Sequence, residues 1–402
     1  MERKARVPQS VSRWQEACAT RMFRKENSYI PMTRENVLLK MLKAALWSRR
    51  LNLSGRQWPI EQYQSLMRLA EQQAVSGMVA QMLMDSGVQL TRPAAAEVYA
   101  LAGSTRQRNE EMDAAVVALC QKMEELGIRI IVFKGQTLAR LYPDPGVRQS
   151  GDIDFACHPD DWERAEAYFR STVVGDIEDN TTEKHISFNI NGIEYELHRS
   201  LTAFAYPAHQ RYWEKRIMPE VWEKPHFIEI NSFLVPTLPP ATNAIFVSVH
   251  IFYHLISEGI GLRQFCDWAM VLNQSTIDKP QLTTLLEGIG LRKAYAGMGA
   301  ILTDYLGLPT ASFPLEISKD DHKRAPKLLE NIWEMGNFGK NKQYSAPRGV
   351  VHGLQHLWRI AGQARRFYHY APAETLWTIP YMFRWWGIKI KNIVAHALPA
   401  KK

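Results

Sequence analysis

The chain has 402 residues, 46% hydrophobic and 22% charged, an ordinary globular balance with enough length for two or three cores. A formal charge of +8 biases it towards anionic partners such as nucleotides, nucleic acid or acidic membrane surfaces, without choosing among them. The four cysteines, Cys18, Cys120, Cys157 and Cys266, lie far apart with no Cys-x-x-Cys pair, which argues against a zinc ribbon or disulfide framework and suits a reducing cytosol.

Met1 to about Arg34 is polar and basic and reads as a solvated arm able to touch phosphate. Its first 28 residues lack the apolar segment of a signal peptide. No uncharged apolar run nears the ~18 residues of a membrane span. A cytoplasmic location is therefore expected, compatible with peripheral attachment to the inner face of the membrane. Helical periodicity starts near Asn36, with Val37, Leu38, Leu39, Met41, Leu42 and Ala45. A second helix follows Trp58-Pro59, and a third apolar segment covers Gly77 to Met84. Pro93 opens a long helical stretch to Leu126, with Gly127 as its stop. Residues 35–127 are thus expected to form a helical N-terminal domain.

The next stretch, 128–201, carries the chemistry. Ile128 to Phe133 reads as a strand that ends at Lys134-Gly135, and a helix-like piece follows from Gln136 to Tyr142. A Pro143-Asp144-Pro145-Gly146 turn then leads through Arg148 to Ser150-Gly151-Asp152-Ile153-Asp154. On a strand, alternation puts Asp152 and Asp154 on one face, roughly 6.6–7 Å apart at Cα. Two like charges that close repel, and a divalent cation relieves them. A helix opens at Pro159-Asp160-Asp161, and His185 to Ile190 reads as a strand closed by the hairpin signal Asn191-Gly192. Ile193 to His198 alternates apolar and polar, with Glu194, Glu196 and His198 on one face, and is expected at the edge of the sheet. If it lies beside the Asp-x-Asp strand, three acids converge on one or two hard cations, for which Mg²⁺ is suited.

Several cationic and backbone groups near this strand have two readings each. Lys134 can neutralise a triphosphate or pair with one of the acids. Arg148 can grip phosphate bidentately or form a salt bridge. Gly135 can offer its backbone N–H to an anion or serve as a turn glycine.

Residues 202–240 are irregular and aromatic and read as a connector. A helical domain is expected over 241–349, beginning with an apolar helix, Ala244 to Ile256, and a second, Leu262 to Leu272. Further helices are expected over Gln281 to Leu306 and Arg324 to Trp333, then a polar loop from Gly336. His250 and His254 stand one turn apart and read first as core histidines. Arg263 and Asp267 read as a helix ion pair. The last stretch, 350–402, mixes arginine and lysine with tryptophan, tyrosine and phenylalanine. It fits a structural cap, a membrane-surface helix or, third, a nucleic-acid contact.

Phe133-Lys134-Gly135, Arg148-x-Ser150-Gly151-Asp152-Ile153-Asp154 and Glu196-Leu197-His198 together resemble the bacterial nucleotidyltransferase-like family of the DNA-polymerase-beta superfamily. His250-x-x-x-His254 and Gly261-Leu262-Arg263-x-x-x-Asp267 extend the resemblance, which spans about residues 36–310. It implies an α+β fold, a small mixed nucleotidyltransferase sheet flanked by helices, with helical N-terminal and C-terminal parts. It also implies an enzyme that moves a nucleoside monophosphate from an NTP to a hydroxyl or phosphate acceptor with two Mg²⁺ ions. Asp152, Asp154 and Glu196 would be the metal-binding and catalytic acids. Lys134, Gly135, Arg148, Ser150 and Gly151 would hold the triphosphate, with Arg263 closing over substrate. Two differences stand out. Gly135-Gln136 replaces the family's Gly-Ser, and Glu196 stands where Asp is common. The alternatives are a module that binds nucleotide or sugar phosphate without turnover, and a peripheral-membrane or assembly protein working through its C-terminal segment.

Overall fold

The computed structural model describes residues 33–180, 185–274, 277–337 and 350–381. The expected basic arm, nearly all of the polar loop after Gly336 and the segment from residue 382 onward lie outside the described residues.

Helices precede the sheet, as the periodicity requires. Helix α1 (Arg34–Leu46) is capped by Thr33, whose hydroxyl accepts the Asn36 N–H. Helices α2 (Ile60–Gln72) and α3 (Ser76–Asp85) follow, and α4 (Arg92–Glu125) is a rod about 50 Å long. Its first half buries Ala94, Val98 and Ala102 in a helical core. Its second half buries Met112, Val116, Leu119, Cys120 and Met123 beneath the sheet. One rod therefore belongs to both cores.

The sheet has five strands in the order β1-β2-β5-β4-β3. These are β1 (Ile130–Phe133), β2 (Asp152–Cys157), β3 (Glu178–Asn180), β4 (His185–Ile190) and β5 (Ile193–His198). Only β2 and β5 run parallel; the other neighbours are antiparallel. Strand β5 is thus interior, not at the edge, because β4 and the short β3 extend the sheet beyond it. Helix α5 (Gly135–Ala139) follows β1, and α6 (Trp162–Thr172) follows β2. One sheet face, with Val132, Phe155, Leu197 and Phe188, packs against α4 and α6. By register, the other face carries Asp152, Asp154, Glu194, Glu196 and His198, beside Phe133 and Ala156.

Residues 202–240 are more ordered than an irregular connector. Helices α7 (Pro207–Tyr212) and α8 (Met218–Glu223) flank a π-helical turn, and β6 (His226–Ile230) pairs with β7 (Phe233–Thr237). The hairpin turns on Asn231-Ser232, both at positive φ, and buries Ile230 and Val235 with the sheet's apolar face. Helices α9 (Pro240–Ile256), α10 (Leu262–Gln274), α11 (Lys279–Gly288), α12 (Arg292–Asp304) and α13 (Lys319–Met335) come next. The helical stretch expected over Gln281 to Leu306 divides at Gly290, whose φ is +65°. Helix α14 (Val350–Phe367) and a helical segment over 372–381 end the described chain.

The helices before and after the sheet share one core rather than forming two. Trp47 Nε1 donates to Leu306 O at 2.7 Å, and Gln73 accepts from the Leu262 and Arg263 backbone N–H groups. Gly77 on α3 sits against the loop that feeds β2. A Cβ there would lie 2.6 Å from Val147 O and 2.9 Å from Thr105 Cγ2. Gly77→Ala is expected to destabilise the protein by about 1–3 kcal/mol, read as a lower urea midpoint at unchanged slope. Among the described residues no helix is long and apolar enough to cross a membrane.

Candidate active site

Parallel pairing of β2 and β5 sets Asp152 opposite Glu194 and Asp154 opposite Glu196. Carboxylate oxygens of Asp152, Asp154 and Glu196 all lie within 4.8 Å of one another. Glu194 points to an exposed position and is not part of that group.

A lysine and a histidine already lean on one of these acids. Lys134 Nζ is 2.9 Å from Asp154 Oδ1, and His198 Nε2 is 3.0 Å from the same oxygen and 3.1 Å from Glu196 Oε2. Burial alone would raise the Asp154 pKa, but the Lys134 charge and the His198 hydrogen bond outweigh it and hold the carboxyl below its usual range. Burial likewise works against charge on Lys134 and His198, and the surrounding acids reverse it for both. Asp152 differs. Its side chain has no hydrogen-bond or ion-pair partner among the described residues, and the Asp154 charge, then burial, push its pKa up to about 6. An all-oxygen donor set in which the Asp154 charge still raises Asp152 fits a hard divalent cation.

The turn from β1 into α5 explains Gly135. Lys134 has φ 59° and Gly135 φ 40°, two successive left-handed residues. Such backbone costs a lysine roughly 1–3 kcal/mol. A Cβ on residue 135 would also come within 3.3 Å of Asp152 O. The following Gln136 turns away, donating to Asp113 Oδ1 at 2.6 Å and to Asn109 O on α4. Thr137 does not substitute for the absent serine, because its hydroxyl donates to Lys134 O. At this turn the Gln136 and Thr137 side chains are thus both engaged within the protein. Asp113, which also pairs with Arg140, holds the turn and carried no local signal in the sequence.

Arg148 is not a free phosphate clamp. It is 3% exposed, and its Nε and Nη2 donate to the two Asp267 oxygens at 2.7 and 2.9 Å. Tyr142 OH donates to Asp267 as well, and Arg148 Nη1 reaches Ser150 Oγ at 2.8 Å. The expected Arg263–Asp267 helix pair is therefore replaced, since the bidentate fork of Arg148 takes Asp267 first. Arg263 instead donates to Gln149 O at 2.9 Å. Arg148 acts as a buried strut that fixes the loop entering β2.

Lys134, Gly135, Arg148, Ser150, Gly151, Asp152, Asp154 and Arg263 line one cavity of about 70 Å³, roofed by Phe246, Val247 and His250 of α9. That is room for cations and waters, and smaller than a pocket that encloses a whole organic ligand. His250 is the roof residue that sequence reasoning placed in the core. Burial, then His254 and Lys134, keep its pKa well below the ordinary value, so it presents a neutral ring. A larger pocket, about 670 Å³, lies past the C-terminal ends of β2 and β5, between Ala156, His158, Arg199, Ser200 and Trp222. Ala156 shares the sheet face of Asp154.

Residues 60–307 match the uncharacterised nucleotidyltransferase family. The chain belongs to it. Among solved structures, an antigenic nucleotidyltransferase-like protein from Paracoccidioides brasiliensis is similar at 17% identity, over 50% of this chain and 96% of that one, with a TM-score of 0.31. The comparison with curated proteins gives no match. The family match covers Lys134, the Asp-x-Asp strand, Glu196, His250 and Arg263 together.

Proposed function

We propose that this member of the family transfers a nucleoside monophosphate from an NTP to a hydroxyl or phosphate acceptor, with Mg²⁺. The observation that carries this reading is the convergence of Asp152, Asp154 and Glu196, with the Asp154 charge and burial raising Asp152 to about 6. Asp152 and Asp154 would hold two metal ions and Glu196 one of them; bound there, such ions neutralise the triphosphate and favour in-line displacement. His198 orients Asp154 and Glu196 through its bridging Nε2. Lys134 and Arg263 add positive charge at the cavity wall. Glu196 takes the acceptor proton as the new Pα–O bond forms, and the Pα–O bond to pyrophosphate breaks with its electron pair leaving on pyrophosphate. Positioning and charge stabilisation are the protein's share of the work. The pocket beyond β2 and β5 is the proposed acceptor site.

A second reading, binding without turnover, draws on Gln136, whose side chain is tied to Asp113 where the family pattern has a phosphate-facing hydroxyl. One experiment separates the two. The protein is incubated with each α-labelled NTP, Mg²⁺ and fractionated cell extract, and both labelled product and pyrophosphate are measured. Label transfer with pyrophosphate release, lost on chelation, supports the enzyme. Metal-dependent nucleotide retention with no pyrophosphate supports the module.

A further inference from the structure

The polar face of the sheet continues past Glu196. Register carries it onto β4, where His185 stands opposite His198 and Ser187 opposite Glu196. The two imidazoles lie side by side, ring centroids 4.9 Å apart and planes tilted by 39°. Both are buried, at 7% and 8% exposure. His185 Nε2 is 4.0 Å from Glu196 Oε1, and His198 Nε2 is 3.1 Å from Glu196 Oε2. Among the described residues, two groups bring their ligand atoms within 4.8 Å of one another: the three acids described above, and His185, Glu196 and His198. His250 and His254 are also neighbours but belong to no such group.

The histidine group differs in chemistry from the acidic one. Mg²⁺ takes oxygen ligands, whereas two imidazoles and a carboxylate suit Zn²⁺ and its first-row neighbours. Burying two imidazoles together costs free energy that an apolar cross-strand pair avoids, so packing alone does not call for them. A cation bound at about 2.1 Å sets its ligand atoms about 3.0–3.4 Å apart. The His198–Glu196 separation is already of that size, and the His185–Glu196 one must shorten by only about 0.6–1.0 Å, a small turn of two side chains. Two carboxylate oxygens, from Asp154 and Glu196, face His198 Nε2 and require a proton on it. A cation takes that proton's place, and Asp154 keeps Lys134 as its partner. The Glu196 side chain is 22% exposed, which gives a cation access from solvent.

We infer that His185, His198 and Glu196 form a binding site for Zn²⁺, set beside the acidic group and joined to it through Glu196. The site stands on its own ligands and does not depend on nucleotide transfer. Because Glu196 is common to both groups, a cation on the histidine side competes for it with one on the aspartate side. His185 belongs to the histidine group alone and Asp152 to the acidic group alone, so each can be removed without taking a ligand from the other.

The test uses the full chain, freed of metal by chelation, and Zn²⁺ alone, in isothermal titration. One tight equivalent is expected in the parent. His185→Ala should weaken it at least about tenfold. Asp152→Asn, which removes a nearby charge but no ligand of this group, should weaken it far less. X-ray absorption of the parent's zinc complex needs no variant, and so decides the matter even if His185→Ala fails to fold. It should show two imidazole nitrogens at about 2.0–2.1 Å. The inference is overturned if the parent binds no zinc, if His185→Ala binds it like the parent, or if Asp152→Asn has the larger effect. A zinc ion held by oxygen alone, or by a single imidazole, overturns it equally.

Discussion

Asp152→Asn should make the protein more stable at pH 8 and end nucleotidyl transfer. The folded-state pKa of Asp152 is raised to about 6 from 3.8 by the Asp154 charge and by burial. A raised carboxyl pKa means that the fold prefers the protonated acid. Its favourable contribution is full below about pH 4, declines through pH 4–6 and is gone above. Two pKa units amount to on the order of 3 kcal/mol, less whatever solvent screening removes at this half-buried position. Asparagine removes the charge and so the repulsion. Urea unfolding should show a higher midpoint for the variant at pH 8 and near equality at pH 4. Mg²⁺ should raise the midpoint of the parent and leave the variant almost unmoved. Equal midpoints at pH 8 would sink the like-charge account of the site.

Removing Asp267 should be the most damaging change away from the acids. Asp267→Leu strands the buried Arg148 guanidinium, whose pKa Asp267 raises against the opposing effect of burial. Breaking such a pair from one side costs about 3–5 kcal/mol, whereas replacing both partners with apolar groups is far milder. Arg148→Met/Asp267→Leu should therefore recover most of the lost stability. It should not recover activity, because Arg148 also holds Ser150 at the entrance to β2. Stability by urea midpoint and turnover by pyrophosphate release should part company in the double variant. A double variant as unstable as Asp267→Leu alone would mean that the pair is not what Arg148 needs.

What the sequence made legible here was local. Asp152 and Asp154 share a face because strands alternate, and Asn191-Gly192 sets the β4–β5 register with two positive-φ residues. The helices followed from periodicity, and the α+β class from the family resemblance. What stayed hidden was held from a distance. Arg148 stayed open between a phosphate grip and a salt bridge because its partner stands 119 positions further on. Gln136 looked like a missing hydroxyl until Asp113, on the preceding helix, was seen to hold it. The β6–β7 hairpin was masked by an Asn-Ser turn without glycine. His250 was taken for core because an apolar helix surrounds it, and only the packing of α9 over β2 brings it to the cavity.

Helix α4 has a consequence for dissecting the molecule. Since its first half sits among the helices and its second under the strands, no cut can separate the acidic face from what precedes it. A fragment starting at residue 128 would lose Asp113, and with it the anchor for Gln136 and Arg140, and would bare the underside of the sheet. The acid-bearing sheet in the middle of the chain is thus no portable module; it borrows its floor from residues read long before it.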